Sequence, residues 1–456
     1  MSLLQDALDA VNSSMSIGVS GRVQAVIGLS IEAIELPVPI GSTCEILTTT
    51  GLKHTAETIG FREGKTVLMS LTGLDGISPG DRVRSLSGRP RIFCSESLLG
   101  RVINGLGVPM DGLSDLPPGS ARRLDAKPLH ALSRQNIRQS IDTGIRAVDA
   151  LHTCGRGQRM GIFAGPGVGK STLISTIAKQ TSADVSVIAL IGERGREVQE
   201  FIDNALGAAG LARSVVIVAT GDEPPLMKVR ATKVACTVAE FFRDTGRHVL
   251  LVVDSLTRLA QAQRQIGLAA REPPATKGFP PSVFAMLPEI LERAGQSSVG
   301  SITGFYTVLV EGEDFDEPIP DAVKGITDGH LLLSRNLASR GHFPAIDVLK
   351  SISRVRDDVL PPEQAAMARR VLDLWSAYAS IEELISIGAY VKGQDARRDL
   401  AVAAQPKIEA FLKQTRDERS TGVSAQQKLS ELCATIDALS ASLTPPQQQS
   451  QRRAKV

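Results

Sequence analysis

A glycine-rich turn that ends in a lysine and a hydroxyl residue grips polyphosphates, and GIFAGPGVGKSTL, Gly161 to Leu173, is such a turn. Gly165, Gly167 and Gly169, with Pro166 and Val168 between them, let the backbone curl so that its N–H groups point at phosphate oxygens. The N-terminus of a following helix, through Ser171 and Thr172, reinforces that field. In this arrangement Lys170 bridges the β- and γ-phosphates of ATP, and the Ser171 hydroxyl binds Mg²⁺. The strict pattern asks for glycine where Ala164 stands, and alanine is the smallest departure available. A metal site of this kind needs a carboxylate as well. The apolar run HVLLVVD supplies one at a strand tip, which makes Asp254 the second Mg²⁺ ligand. Hydrolysis further needs a group that polarises water against the γ-phosphate. VSVIALIG runs into ERGREV, presenting Glu193 as the water-activating carboxylate and Arg194 as a cation beside the phosphates. Read alone, an acidic residue at a strand end is more often a solvated loop group.

The elements around these residues must hold them at one edge of a sheet. Strand and helix patterns alternate: RMGIFAG then KSTLISTIAKQ, VSVIALIG then REVQEFIDNALGAAG, SVVIVAT then KVACTVAEFFRDTG, and then HVLLVVD. This predicts an α/β fold over 141–360, a RecA-like P-loop core whose parallel sheet is covered on both faces. Before it, short β-branched runs separated by turns such as LPVPIG, REG and ISPGD predict a small N-terminal β-barrel over 16–90. Residues 91–140, rich in Gly and Pro, read as a connector with a short helix. Leu4, Ala7, Leu8 and Val11 mark an amphipathic helix over 1–15. Leu, Ile and Ala at helical spacing predict a C-terminal helical domain over 361–440, and the polar, Pro-containing 441–456 reads as a disordered tail.

A chain of 456 residues exceeds one simple core, and a net charge of +2, with 51 basic against 49 acidic residues, carries no electrostatic footprint for nucleic acid. The five cysteines stand far apart in sequence with no CxxC pair, which reads as reduced thiols in a cytosolic protein. MSLLQDALDAVNSS has two Asp and no basic flank, unlike a signal peptide, and VLLVV is too short to span a bilayer.

GERGREV and LLVVDSLTR resemble the catalytic-subunit motifs of the rotary ATP synthases. KGFPPSVFAMLPEILERAG, DGHLLLSRNLASRGHFPAIDVLKSISRV and SIEELISIGAYVKGQD resemble, more narrowly, the flagellar and type III secretion export ATPases. The likeness runs from about Gly21 to Asp395. It implies a homohexameric ring in which each site is completed by the neighbour, with Arg354 of SISRV as the arginine finger. It further implies a stator-like regulator at the N-terminal helix and a coiled-coil stalk subunit in the pore, facing VEGEDFDEPIPD. Export chaperones and substrates would meet the C-terminal domain, and the whole would sit in the cytoplasm, peripheral to the inner-membrane export gate. Several rotary ATPases stack the adenine on an aromatic residue shortly after the finger, and RVRDDVLPPEQAAMARRV contains none. Pro361 and Pro362, or the later Tyr390, are the candidates for that contact.

Three functions are compatible with a phosphate-gripping ring. The first is an ATP hydrolase that energises protein export, releasing chaperones and unfolding substrates. The second is a low-turnover regulatory nucleotide-binding subunit, which Glu193 disfavours, since noncatalytic rotary subunits lack that glutamate. The third is an RNA translocase resembling Rho, which would need stacking aromatics on its RNA platform, whereas Phe61 is the single aromatic residue between Ser16 and Pro90.

Overall fold

The computed structural model describes residues 18–87, 89–310 and 315–443. The helix expected over 1–15, the tail from 444 onwards and residues 311–314 of the acidic loop lie outside the described residues.

Six strands come first: β1 Ser20–Ile27, β2 Ser30–Ile34, β3 Thr43–Leu47, β4 Lys53–Arg62, β5 Lys65–Ser70 and β6 Arg82–Ser87. They close into a barrel in the order β1-β2-β5-β4-β3-β6, β1 pairing antiparallel with both β2 and β6. Period-two alternation turns Val23, Ile31, Ala33, Cys44, Ile46, Ala56, Leu68 and Val83 into one buried core. Closure leaves no strand edge open, so the expected barrel is the one found.

Residues 91–140 do more than connect. β7 Arg91–Cys94 pairs antiparallel with β9 Ser120–Arg123, while β8 Val102–Asn104 joins the edge of the central sheet, with Ile103 fully buried. The Gly and Pro residues around this three-residue strand mask it in the sequence. β10 Ser140–Ile141 and β11 Cys154–Gly155 form a small antiparallel pair that opens the next domain.

The central sheet consists of β12 Arg159–Ala164, β13 Val185–Ile191, β14 Ser214–Ala219, β15 His248–Asp254, β16 Gly295–Gln296, β17 Ser301–Leu309, β18 Gly329–Leu333 and β19 Ile352–Ser353, together with β8. Its order is β19-β18-β12-β17-β15-β13-β14-β8, with β16 paired off this path to β17. From β18 to β8 every pairing is parallel, and β19 closes one edge antiparallel. Alternate residues of the central strands feed two separate cores. Val187, Ala189, Val249, Leu251 and Val253 belong to one, and Ile188, Leu190, Leu250 and Val252 to the other. Strands apolar on both faces require helices on both.

One face carries helices Pro225–Asp244, Leu256–Ala269, Pro281–Leu291 and Pro318–Ile326. Within the third, Leu287 and Leu291 are fully buried and Phe284 is half-buried against Phe279, so the PPSVFAMLPEIL stretch is a core helix. The other face carries Arg146–Leu151, Lys170–Gln180 and the long C-terminal helices Pro362–Ala379, Ala396–Leu412 and Gly422–Leu443. Ala368, Val371, Ala404, Ile408, Leu429 and Ile436 of those helices share a core with the sheet. All five cysteines are free and buried.

Candidate active site

β12 ends at Ala164, and the chain curls through Gly165–Gly169 into helix Lys170–Gln180. Gly167 and Gly169 hold φ angles of +77° and +93°, conformations that strain any residue bearing a Cβ. No side chain caps this helix, so its first N–H groups are open to an anion. Ala164 pairs in register with Leu309 and Leu333 and is buried in the sheet, which places its methyl group in the core rather than in the phosphate cradle.

Parallel pairing brings the carboxylates to the same edge. Leu190 of β13 lies opposite Asp254, the last residue of β15, and Glu193 follows β13 by two residues. The Lys170 ammonium reaches both: Nζ lies 3.3 Å from Glu193 Oε1 and also donates to Asp254 Oδ1. Thr307 of β17 donates to the same Asp254 oxygen at 2.6 Å. The Gly221 N–H donates to the Glu193 carbonyl at 3.0 Å, fixing the backbone that presents the glutamate. Burial opposes the charge on Lys170, but the carboxylates of Asp254 and Glu193 outweigh it and its pKa is raised. Glu193 also titrates above its ordinary 4.5, because burial disfavours its charge and Asp254 adds repulsion against the attraction of Lys170.

A cleft of about 530 Å³ gathers Gly165, Pro166, Gly167, Gly169, Lys170, Ser171, Thr172, Glu193 and Arg194. Arg194 points largely into solvent and pairs with Glu197 at 3.4 Å. A second arginine, Arg258, lines the same cleft from helix Leu256–Ala269, four residues after Asp254. The sequence reading missed it, although an i+4 cation after a strand-end carboxylate at the start of a helix was a usable signal.

Gly169 and Thr172 also line an adjoining cleft of about 600 Å³, walled by Val168, Leu173, Phe343, Pro344, Ala345 and Gln414. Phe343 is 48% exposed and faces this space across a cis peptide to Pro344. Tyr390 lies in neither cleft: its hydroxyl donates to Asp399 Oδ1 at 2.5 Å and holds it among the C-terminal helices. Pro361 and Pro362 begin helix Pro362–Ala379 and line neither cleft. The aromatic wall therefore comes from before the SISRV segment, in SRGHFPAID, and not after it.

Arg354 is exposed, and its N–H bonds to the Asp328 carbonyl beside the starting end of β18. The P-loop leaves the opposite end of the neighbouring strand β12. The structure thus gathers Lys170, Glu193, Arg194 and Asp254 and leaves Arg354 apart from them.

With this geometry established, two family descriptions match the chain: "ATP synthase alpha/beta family, nucleotide-binding domain" over residues 144–353, and "T3SS EscN ATPase C-terminal domain" over 360–431. The flagellum-specific ATP synthase of Pseudomonas aeruginosa is 47% identical over 94% of this chain and 97% of its own. The type 3 secretion system ATPase of Xanthomonas euvesicatoria is 45% identical over 95% and 98%. Among solved structures, the assembled ATPase EscN in complex with its central stalk EscO, from the type III secretion system of enteropathogenic E. coli, superposes with a TM-score of 0.84. It is 41% identical, covering 90% of this chain and 99% of that one. The chain belongs to the family of flagellar and type III secretion ATPases. It is an ATP hydrolase of type III secretion, and neither the regulatory-subunit nor the RNA-translocase reading is favoured. Among the described residues no helix is long and apolar enough to cross a membrane.

Proposed function

We propose that the chain hydrolyses Mg·ATP at a site built from Lys170, Glu193 and Asp254 and completed by Arg354 of an adjacent copy. The observation that carries this reading is the Lys170 ammonium, held between two carboxylates at the mouth of a phosphate-binding loop. A lone cation there would serve binding only. A second, proton-accepting carboxylate beside it serves hydrolysis.

Glu193 orients and polarises the attacking water. Its raised pKa makes its ionised form a better proton acceptor than an ordinary glutamate. Lys170, Arg194 and Arg258 counter charge on the phosphates, and the first helical N–H groups hold the non-transferring oxygens. Mg²⁺ takes few protein ligands and prefers hard oxygen donors, which suits one hydroxyl, Ser171, and one carboxylate, Asp254, steadied by Thr307. When bound, Mg²⁺ supplies neutralisation of charge across the β- and γ-phosphates. The apolar cleft beside Phe343 receives the adenine base of ATP.

A homohexameric ring follows from the need to import Arg354, and the assembled EscN relative with its central stalk supports both a ring and a stalk partner. We further assign a stator-like regulator to the N-terminal segment and export chaperones and substrates to the C-terminal helices. The ring then works peripherally at the cytoplasmic face of the membrane export gate, without nucleic acid.

Phosphate release by the purified chain tests the core of this reading. Glu193→Gln should lower kcat by roughly 10²-fold or more while ATP still binds. Wild-type turnover in that variant would overturn the assignment.

A further inference from the structure

The wall of the base cleft opposite the P-loop is an irregular bend of chain. Lys413, Gln414, Thr415, Arg416 and Glu418 line it, between helices Ala396–Leu412 and Gly422–Leu443. Such a bend has few backbone bonds of its own, so its position relative to the P-loop depends on what ties it down.

The Gln414 N–H donates to the Phe343 carbonyl at 2.9 Å, and one buried side chain ties the bend to a helix on the same face of the sheet. Arg146 begins helix Arg146–Leu151 and is 5% exposed. Its Nε donates to the Phe411 carbonyl at 2.7 Å, Nη2 to the Lys413 carbonyl and Nη1 to the Glu418 carboxylate. Its backbone N–H donates to Gln414 Oε1 at 2.8 Å, and the guanidinium lies 5.6 Å from the centre of the Phe411 ring. Gln414 in turn donates to the Gly144 carbonyl at 2.8 Å and to the Glu418 carbonyl at 3.0 Å. Both ends of the bend are thereby fastened to residues 144–146, and only a planar fork of several donors can hold two carbonyls and a carboxylate at once. Gln414, with its oxygen and its amide both engaged inside the protein, presents a fixed surface to the cleft and not an adaptable one.

We propose that Arg146 is a positioning residue for the nucleotide base. By fixing the 413–418 wall against Val168 and Phe343, it sets the width of the slot and hence the affinity for ATP, while touching neither nucleotide nor phosphate chemistry. This inference rests on reading that cleft as the base site.

Equilibrium titration of the full-length chain tests it, using ATP and, as a probe that fills only the P-loop, inorganic triphosphate. Arg146→Lys keeps the charge and removes the fork. The dissociation constant for ATP should rise about tenfold, and that for triphosphate should stay as it is. A merely structural loss would weaken both together, and that result, or unchanged ATP binding, overturns the proposal. If Arg146→Lys does not fold, Glu418→Gln decides, with an expected rise of about threefold for ATP alone. Phe343→Ala separates the two readings. If it leaves ATP affinity intact, the cleft is not the base site; if it weakens ATP while Arg146→Lys does not, the base site stands and the positioning role fails.

Discussion

Asp254 and Glu193 share one ammonium but differ in their surroundings. Asp254 is almost fully buried and receives a second donor from Thr307, whereas Glu193 is more exposed and bonds to Lys170 at a longer distance. The tighter-held carboxylate suits a fixed ligand, and the looser one suits a group that must accept and return a proton. Thr307→Val preserves shape and removes the 2.6 Å bond, so Asp254 loses its orientation. Turnover at saturating ATP should fall by about tenfold or more, with a higher Mg²⁺ requirement visible in a magnesium titration of phosphate release. The pH profile follows from Glu193. Its pKa is raised, and only the ionised form accepts a proton from water. As pH falls, kcat should therefore decline at a higher pH than an ordinary glutamate would give. In Glu193→Gln, residual turnover should lose that acidic limb; a limb that persisted unchanged would assign the titration to another group.

The P-loop shows how an element enforces what its residues offer. Gly169 sits at φ +93°, ψ +19°, just before the helix, where an L-residue carries strain of ~1–2 kcal/mol. A methyl group there meets no atom closer than the Phe343 ring at 3.9 Å, so the conformation and not crowding is what matters. Gly169→Ala should relax the turn, rotate the first helical N–H groups and weaken ATP binding by about tenfold, measurable by titration, with the remaining fold intact by circular dichroism. The loop, Glu193 and Asp254 were legible in the sequence because each follows directly on an apolar run whose end fixes its place. Thr307 was not, since it reaches Asp254 only through the β15–β17 pairing, across more than fifty residues of chain. Phe343 was hidden for a related reason: it stands in an irregular segment between β18 and β19 with no periodicity to place it. The β8 strand is masked by the glycines and prolines around it, and nothing in the sequence around Tyr390 signals that its hydroxyl meets Asp399, nine residues on.

At the scale of the whole molecule, the sheet keeps Arg354 away from the P-loop of its own chain. β12 and β18 run parallel; Arg354 lies beside the start of β18, and the P-loop follows the end of β12. The five rises between the six residues of β12, at ~3.3 Å each, put about 17 Å between those two ends before any loop is counted. An arginine cannot serve a γ-phosphate at that remove, so Arg354 can act as a finger only in the site of another copy of the chain. This makes the ring testable by complementation. Arg354→Ala has an intact Glu193, and Glu193→Gln has an intact Arg354. Each variant alone should turn over ATP at a small fraction of the wild-type rate. Mixed in equal amounts and allowed to exchange subunits, they form some boundaries where an intact glutamate meets an intact finger, about a quarter of all sites if mixing is random. Phosphate release should then recover to about a quarter of the wild-type rate, above the sum of the separate variants. A mixture no more active than that sum would show that Arg354 acts within its own chain or not at all.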